Sequence, residues 1–469
     1  VDELEAYLVG YADEGELDSS GKFTMDRDKA LAKLAQFQLP GDHHWAFKIV
    51  QAVVAGGART LDIRLSLTGS QFAFEDLWTL EELEAAFYDP EPSSDPALNH
   101  CKQALWSVSY AGMRPFQFAP AQSKESLIWT GTSFRRVVSK PEAQARLIVS
   151  HRTRQQQQNS WLVVREIEAL QANAALSEEL RRALFMCPIP VALDGLRLDA
   201  MQHCPVQGVD QRTHPLKLAW EPYEGPALTI PPGSFVFKAL VHKGVPLSLF
   251  RLPPPGLCRG CGVLVAARFD VGIYRELSVF YWIVDGVVVA KEMLPHEGGV
   301  SAAVFASAAG LPTDLSGFSL RDCPEKSERK RAAMEALAPT IKSLSLDLQQ
   351  KIAEARAASR SLGALGLGMG AVFLGLGALF SITVPAVVGL AVGGVGARTW
   401  LKQGSLMLDI REELRHSLLE LQQLWPEGLV PNPLDEIALR PPRAPARPSE
   451  QLAEVPQVGQ PKWRRRRGQ

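Results

Sequence analysis

Hydrophobic and polar positions change their spacing several times along the chain. Within the first 150 residues helix and strand patterns mix. The spacing predicts an apolar helix over Trp45 to Ala55, an alternating strand over Thr60 to Leu67 and an acidic helix over Leu80 to Phe87. Pro90 to Pro96 crowds Pro, Ser and Asp together and reads as a loop. A helix over Ala97 to Ala111 and strands over Pro115 to Ala119 and Ser126 to Thr130 complete an α+β domain, residues 1–150.

Arg152 to Ser160, with four successive glutamines, marks a surface loop at the boundary to a second domain, residues 151–325. A helix over Arg165 to Arg182 opens it. Apolar runs over Ser234 to Val241, Val263 to Phe269 and Leu277 to Ala290 make the rest strand-rich, and Asp194-Gly195 and Asp285-Gly286 signal tight hairpins.

Beyond Pro324 the period becomes helical. Met334, Leu337, Ile341, Leu344, Leu348 and Ile352 recur three or four apart, which predicts an amphipathic helix over residues 326–360 with Pro339 at a kink. Met407, Ile410, Leu414, Leu421 and Leu424 repeat the pattern over residues 399–426, and the two helices are suited to pair as an antiparallel coiled stalk. Residues 427–469 are rich in Pro and Arg and are expected to be disordered.

Between the two amphipathic segments, residues 361–398, no charge occurs from Leu362 to Ala397. As one helix this run would be roughly 55 Å long, against a hydrocarbon core of about 30 Å. Breaking it near Thr383 and Pro385 gives two passes of about 17 to 20 residues, a transmembrane hairpin. Gly366 and Gly370, and again Gly389 and Gly393, have the small-xxx-small spacing that packs membrane helices and favours oligomers. Lys351, Arg356, Arg360, Arg398 and Lys402 flank the run, so both ends are expected on the cytoplasmic side of a bacterial inner membrane. A buried hairpin in a water-soluble core is the alternative; so many glycines, each about 1 kcal/mol worse than Ala in a helix, favour the bilayer. Trp463 with Arg464, Arg465, Arg466 and Arg467 forms a terminal patch suited to anionic headgroups.

Composition narrows the function. Lys and Arg total 50 against 51 for Asp and Glu, so no global charge draws the chain to nucleic acid. Six scattered cysteines read as reduced thiols, and the acidic start lacks signal-peptide character. Cys258 and Cys261 form a single CxxC with no second pair, short of the four ligands a closed zinc site needs. Phosphate-loop, nucleophile-elbow and HExxH patterns are absent. Gly310 to Phe318 is a compact loop of turn residues, expected to be structural and to close the second domain against the stalk.

Lys48-Ile49-Val50-Gln51-Ala52-Val53-Val54-Ala55-Gly56-Gly57-Ala58, followed by the strand Leu61 to Leu67, resembles the first nucleotide-site motif of the GHKL superfamily: gyrase, heat-shock chaperone, histidine kinase and MutL ATPases. The apolar framework and glycine turn match. The chemistry departs: Lys48 stands at the family's general-base glutamate, Ala52 at its magnesium-binding asparagine and Ala55 at its aspartate. A protonated lysine cannot accept a proton from water, and alanine offers a hard cation no oxygen. The glycines of the next family motif are missing around Glu75 and Asp76, which are weak remnants. The helix over His100 to Ala111 and its following strands resemble later elements of that domain, and Cys187 to Gly195 resembles the start of the family's second domain.

The resemblance implies a GHKL-like α/β sandwich, degenerate in its motifs, with no catalytic residue, cofactor or metal ligand assigned and no ATP expected. The leading expectation is a membrane-anchored non-catalytic scaffold or sensor that binds the lipid bilayer, a protein partner and further copies of itself. The alternatives are a membrane-permeabilising effector of a bacterial conflict or antiphage system and, third, an ATP-dependent chaperone-like protein.

Overall fold

The computed structural model describes residues 39–151, 162–205, 213–233, 241–242, 245–246, 258–268, 276–298, 300–344, 346–347, 350, 421 and 424. The polar segment at 152–160, the uncharged run at 361–398 and the C-terminal tail lie outside them, as does the second amphipathic segment apart from Leu421 and Leu424.

The described chain is mixed α+β. Helix α1 (His44–Ala55) leads into β1 (Leu61–Leu65) and β2 (Gly69–Phe74), then α2 (Leu80–Tyr88) and α3 (Pro96–Trp106). Strands β3 (Phe116–Ala119), β4 (Glu125–Trp129), β5 (Phe134–Val138) and β6 (Ala145–Ser150) follow. The helix starts are written locally. Thr79 and Glu82 exchange side-chain and backbone hydrogen bonds in a capping box ahead of α2. Asp95 accepts from the Ala97 amide, and Pro96 opens α3.

The strand expected over Thr60 to Leu67 is half of a hairpin. Ser66 Oγ accepts from the Thr68 and Gly69 amides and turns the chain into β2. Gly69 sits so close to β6 that a Cβ would strike the Val149 carbonyl, which is why a glycine stands inside this strand.

After α4 (Leu162–Ala183), β7 (Val191–Leu193) and β8 (Leu196–Arg197) return to the same sheet, whose order is β5-β4-β3-β6-β2-β1-β7-β8. Strand β7 runs parallel to β1, with Leu61 opposite Val191. The first sheet therefore takes strands from beyond residue 150. Asp194 (φ 49°) and Gly195 (φ 82°) make the expected tight turn, and the Asp194 carboxylate also accepts from the Leu65 amide.

A second sheet contains β9 (Thr213–Glu221), β10 (Leu228–Thr229), β13 (Arg259–Arg268), β14 (Glu276–Val284), β15 (Val287–Gly298) and β16 (Val300–Ser307). A two-stranded pair, β11 (Val241–His242) and β12 (Val245–Pro246), stands apart. The second sheet is covered on both faces: Val263, Val265, Phe280, Trp282 and Val304 enter the main core, while Leu264, Ala266, Tyr281, Ile283 and Phe305 pack with Phe185, Met186 and Met201. Burial on both faces explains why these strands read as continuous apolar runs.

Helix α5, residues 324–344, lays Met334, Leu337, Ile341 and Leu344 into the main core and stays helical across Pro339. Leu421 is buried in the same core and Leu424 packs against it. Polar ties fix α5 to the second sheet. Lys217 Nζ donates to Ser343 Oγ at 2.8 Å, Thr340 Oγ1 to Glu221 at 2.5 Å, and Arg329 to the Ser307 and Ala309 carbonyls. The described part of the first amphipathic segment is thus a core helix, its apolar stripe satisfied by the sheet. Among the described residues no helix is long and apolar enough to cross a membrane.

Candidate functional site

Helix α1 is buried along Trp45 to Val53, polar residues included. Lys48 and Gln51, three apart, share one helix face; Gln51 meets the tip of the β14–β15 hairpin directly and Lys48 reaches it through His100. Gln51 Nε2 donates to the Val284 carbonyl at 3.3 Å. Lys48 is 2% exposed and donates to His100 Nδ1, 3.5 Å away on α3. An ammonium only donates, so His100 carries its proton on Nε2, where it faces Asp285 Oδ2 at 3.2 Å. Asp285 (φ 46°) and Gly286 (φ 77°) form the hairpin turn, a left-handed pair that the Asp-Gly sequence accommodates.

The loop over residues 310–318 supplies the roof. Asp314 Oδ1 gathers the Gly317 and Ser319 amides and the Ser316 hydroxyl, folding the loop on itself. Phe318 then lies with its ring centroid 4.8 Å from Lys48 Nζ and 4.8 Å from the His44 ring, a cation–π arrangement in a desolvated setting. Gly317, with φ 72°, has no room for a side chain: a Cβ would sit 2.8 Å from Lys48 Nζ. This loop closes over α1.

Burial dominates the electrostatics of Lys48. It lowers the amine, opposed by the negative charges of Asp285 and Asp314, and the group titrates at about 8. Burial likewise lowers His44. Asp314 is pushed up by burial, but the hydrogen bonds it collects outweigh that and hold it below the ordinary carboxylate range.

Glu75 and Asp76 are occupied elsewhere. Glu75 Oε2 accepts from the Arg59 and Thr60 amides at 3.0 and 3.3 Å and braces the turn between α1 and β1. Asp76 Oδ1 accepts from the Ala121 amide at 3.2 Å. Between α1 and this segment, Leu77 packs on Gly56, and Trp78 stacks edge-on to Phe74 with ring centroids 5.9 Å apart.

The CxxC is split by burial. Cys261 is buried, its thiol donating to the Glu221 and Ala333 carbonyls and pushed up to about 12, mainly by desolvation; Cys258 is half-buried. Among the described residues no group of three or more His, Cys, Asp or Glu is placed to hold a metal ion. The sequence-predicted membrane-packing glycines Gly366, Gly370, Gly389 and Gly393 lie outside the described residues, as do Trp463 and Arg464 to Arg467.

Sequence patterns flagged Lys48, the Asp285-Gly286 turn and the 310–318 loop separately. Their convergence, and the role of His100 as the bridge, had no local signal, because each comes from a different element far along the chain.

No protein-family profile matches the chain, and no curated protein matches it. Among solved structures it is similar to the N-terminal domain of a DNA repair protein, at 11% identity and a TM-score of 0.35, over 65% of this chain and 95% of that one. It is also similar to the Aquifex aeolicus MutL ATPase domain complexed with ADP, at 12% identity and a TM-score of 0.28, over 63% and 97%.

Proposed function

We propose that the first sheet and its helices form a GHKL-like module that has given up ATP hydrolysis, and that the chain works as a membrane-tethered scaffold or sensor for a protein partner. One observation carries this: Lys48, at the place of the family's general-base glutamate, is spent on an internal network. Its amine is engaged by His100 and roofed by Phe318. A buried cation there opposes the role of a carboxylate base.

The supporting residues agree. Ala52 and Ala55 offer no ligand to magnesium, and the acidic remnants Glu75 and Asp76 hold backbone amides together. What is retained is framework: a helix, a turn with Gly57 at φ 77°, and a strand. A fold kept without its chemistry suits a binding role, with the uncharged run at 361–398 as the tether. Steady-state phosphate release from Mg-ATP by the purified full chain tests the proposal. Release at the level of a buffer blank is expected; saturable turnover above it overturns the proposal.

A further inference from the structure

Strand β5 ends the first sheet on one side, and among the described residues no strand pairs with its outer edge. The ladder to β4 decides which of its backbone groups are free. The Thr130 amide donates to the Ser133 carbonyl and the Ser139 amide to the Lys124 carbonyl, on a register that sets Leu127 opposite Arg136. Hydrogen-bonded pairs alternate along antiparallel strands. Arg135 and Val137 therefore bond inward to β4, while Phe134, Arg136 and Val138 turn their amides and carbonyls outward. Together these form an edge to which an extended chain can add.

The two faces beside this edge differ. On the helix side Phe134 packs edge-on to Phe87, ring centroids 4.9 Å apart, and Arg136 reaches Glu81 and Glu84 of α2 at 2.7 and 3.3 Å. Val138 follows on the same side and is 91% exposed, an apolar side chain left to water. Arg135 stands on the opposite, open face. It is exposed, as are Lys124 and Lys140, and none of the three pairs with a carboxylate among the described residues. Residues 124–140 hold four basic side chains, Lys124, Arg135, Arg136 and Lys140, against one acid, Glu125, in a chain whose net charge is -1. The positive excess is local to this hairpin.

A second copy fits this edge poorly. Pairing two β5 edges so that all three outward residues are used centres on Arg136 and sets two arginines directly opposite each other, which destabilises a sheet. A strand of another kind meets Val138 and the Arg136–Glu81–Glu84 group on the helix side, where apolar residues suit it. On the open side it meets the unpaired Arg135, where acidic residues suit it. We propose that the β5 edge is a docking site for an extended segment of a protein partner in which acidic and apolar residues alternate, added to the first sheet as a further strand. Main-chain bonds supply the affinity, and the side chains of Arg135 and Val138 supply the selectivity. Such docking rests on the reading of the chain as a scaffold and gives its partner a chemistry. Binding is measured without nucleotide, so loss of this edge and appearance of ATP turnover are separate results.

The test is fluorescence anisotropy of a short labelled peptide of alternating valine and glutamate, titrated with the purified full chain, beside a peptide of alternating valine and lysine. Saturable binding of the glutamate peptide is expected, with the lysine peptide at least about tenfold weaker. Val138→Pro removes one outward amide and leaves the ladder to β4 intact, since proline is tolerated on the free side of an edge strand. It is expected to weaken binding about tenfold, the worth of one or two main-chain hydrogen bonds, while Val138→Thr keeps it. Arg135→Glu is expected to shift the preference toward the lysine peptide. Absence of saturable binding, equal binding of both peptides, or affinities unmoved by Val138→Pro and Arg135→Glu overturn the proposal. Amide hydrogen exchange of the parent chain needs no variant: the bound glutamate peptide should slow exchange at Phe134, Arg136 and Val138, and unchanged exchange there overturns the proposal as well.

Discussion

Lys48 on α1 and Asp285 on the β14–β15 turn are joined through one imidazole, with His100 Nδ1 3.5 Å from the amine and His100 Nε2 3.2 Å from the carboxylate. The chain of bonds links the helix layer of the first sheet to a hairpin of the second. On the proposed reading of the chain as a GHKL-like module without ATP chemistry, this network occupies the position of the base.

Replacing Lys48 should make the protein more stable. Lys48→Met removes a buried charge and keeps the side-chain length, while Asp285 retains His100 and partial solvent contact; the gain is expected to be about 1–3 kcal/mol. The lysine is lowered by folding, from 10.5 to about 8. Its penalty is therefore full below about pH 8 and relieved as pH rises toward 10.5. Thermal unfolding of the two proteins should differ most at neutral pH and converge in alkali. Stabilisation on removing a polar group is the pattern of a site kept for function.

Glu292 should anchor α5 in the opposite way. Burial alone would raise its carboxyl, but hydrogen bonds from Lys326, Lys330 and Trp282 outweigh this and bring it to about 2. A depressed carboxyl stabilises above its unfolded value of 4.5, and that contribution is lost as pH falls from there through about 2. Glu292→Gln is expected to lower stability to urea at pH 7 by about 1–2 kcal/mol. Its deficit should shrink in acid as the parent chain loses the same contribution.

The proposed membrane tether makes a separate prediction. Full chain expressed in bacteria should stay in the pellet after alkaline-carbonate extraction, and a version lacking Leu362 to Ala397 should be released. Extraction of the full chain would mean that the uncharged run packs against protein instead of lipid.

Much of this fold is written locally. The α1 and α2 helices, the Asp194-Gly195 and Asp285-Gly286 turns and the core stripe of α5 all follow from spacing and turn chemistry within a dozen residues. The sequence pattern fails where burial replaces alternation. Strand β16 is buried at every position and rich in alanine, so it has no period-two signal. Strand β5 is an edge strand that shows Arg135 and Arg136 to solvent and lacks an apolar face to read.

In the sequence Lys48 stood out only through its departure from the resembled GHKL motif. Nothing near Lys48 in sequence says what holds a buried amine. His100 and Asp285 reach it by tertiary packing, and Phe318 arrives on a loop whose composition reads simply as turns. The same packing makes Lys48, a residue type seldom fully buried, part of the interior.

The most direct measurement is equilibrium binding of ATP, with magnesium, to the purified full chain by titration calorimetry. If the proposed loss of nucleotide chemistry holds, with Lys48 engaged by His100 and with Ala52 and Ala55 offering a cation no oxygen, the chain should give no saturable heat. A saturable isotherm with a stoichiometry near one per chain would contradict the account.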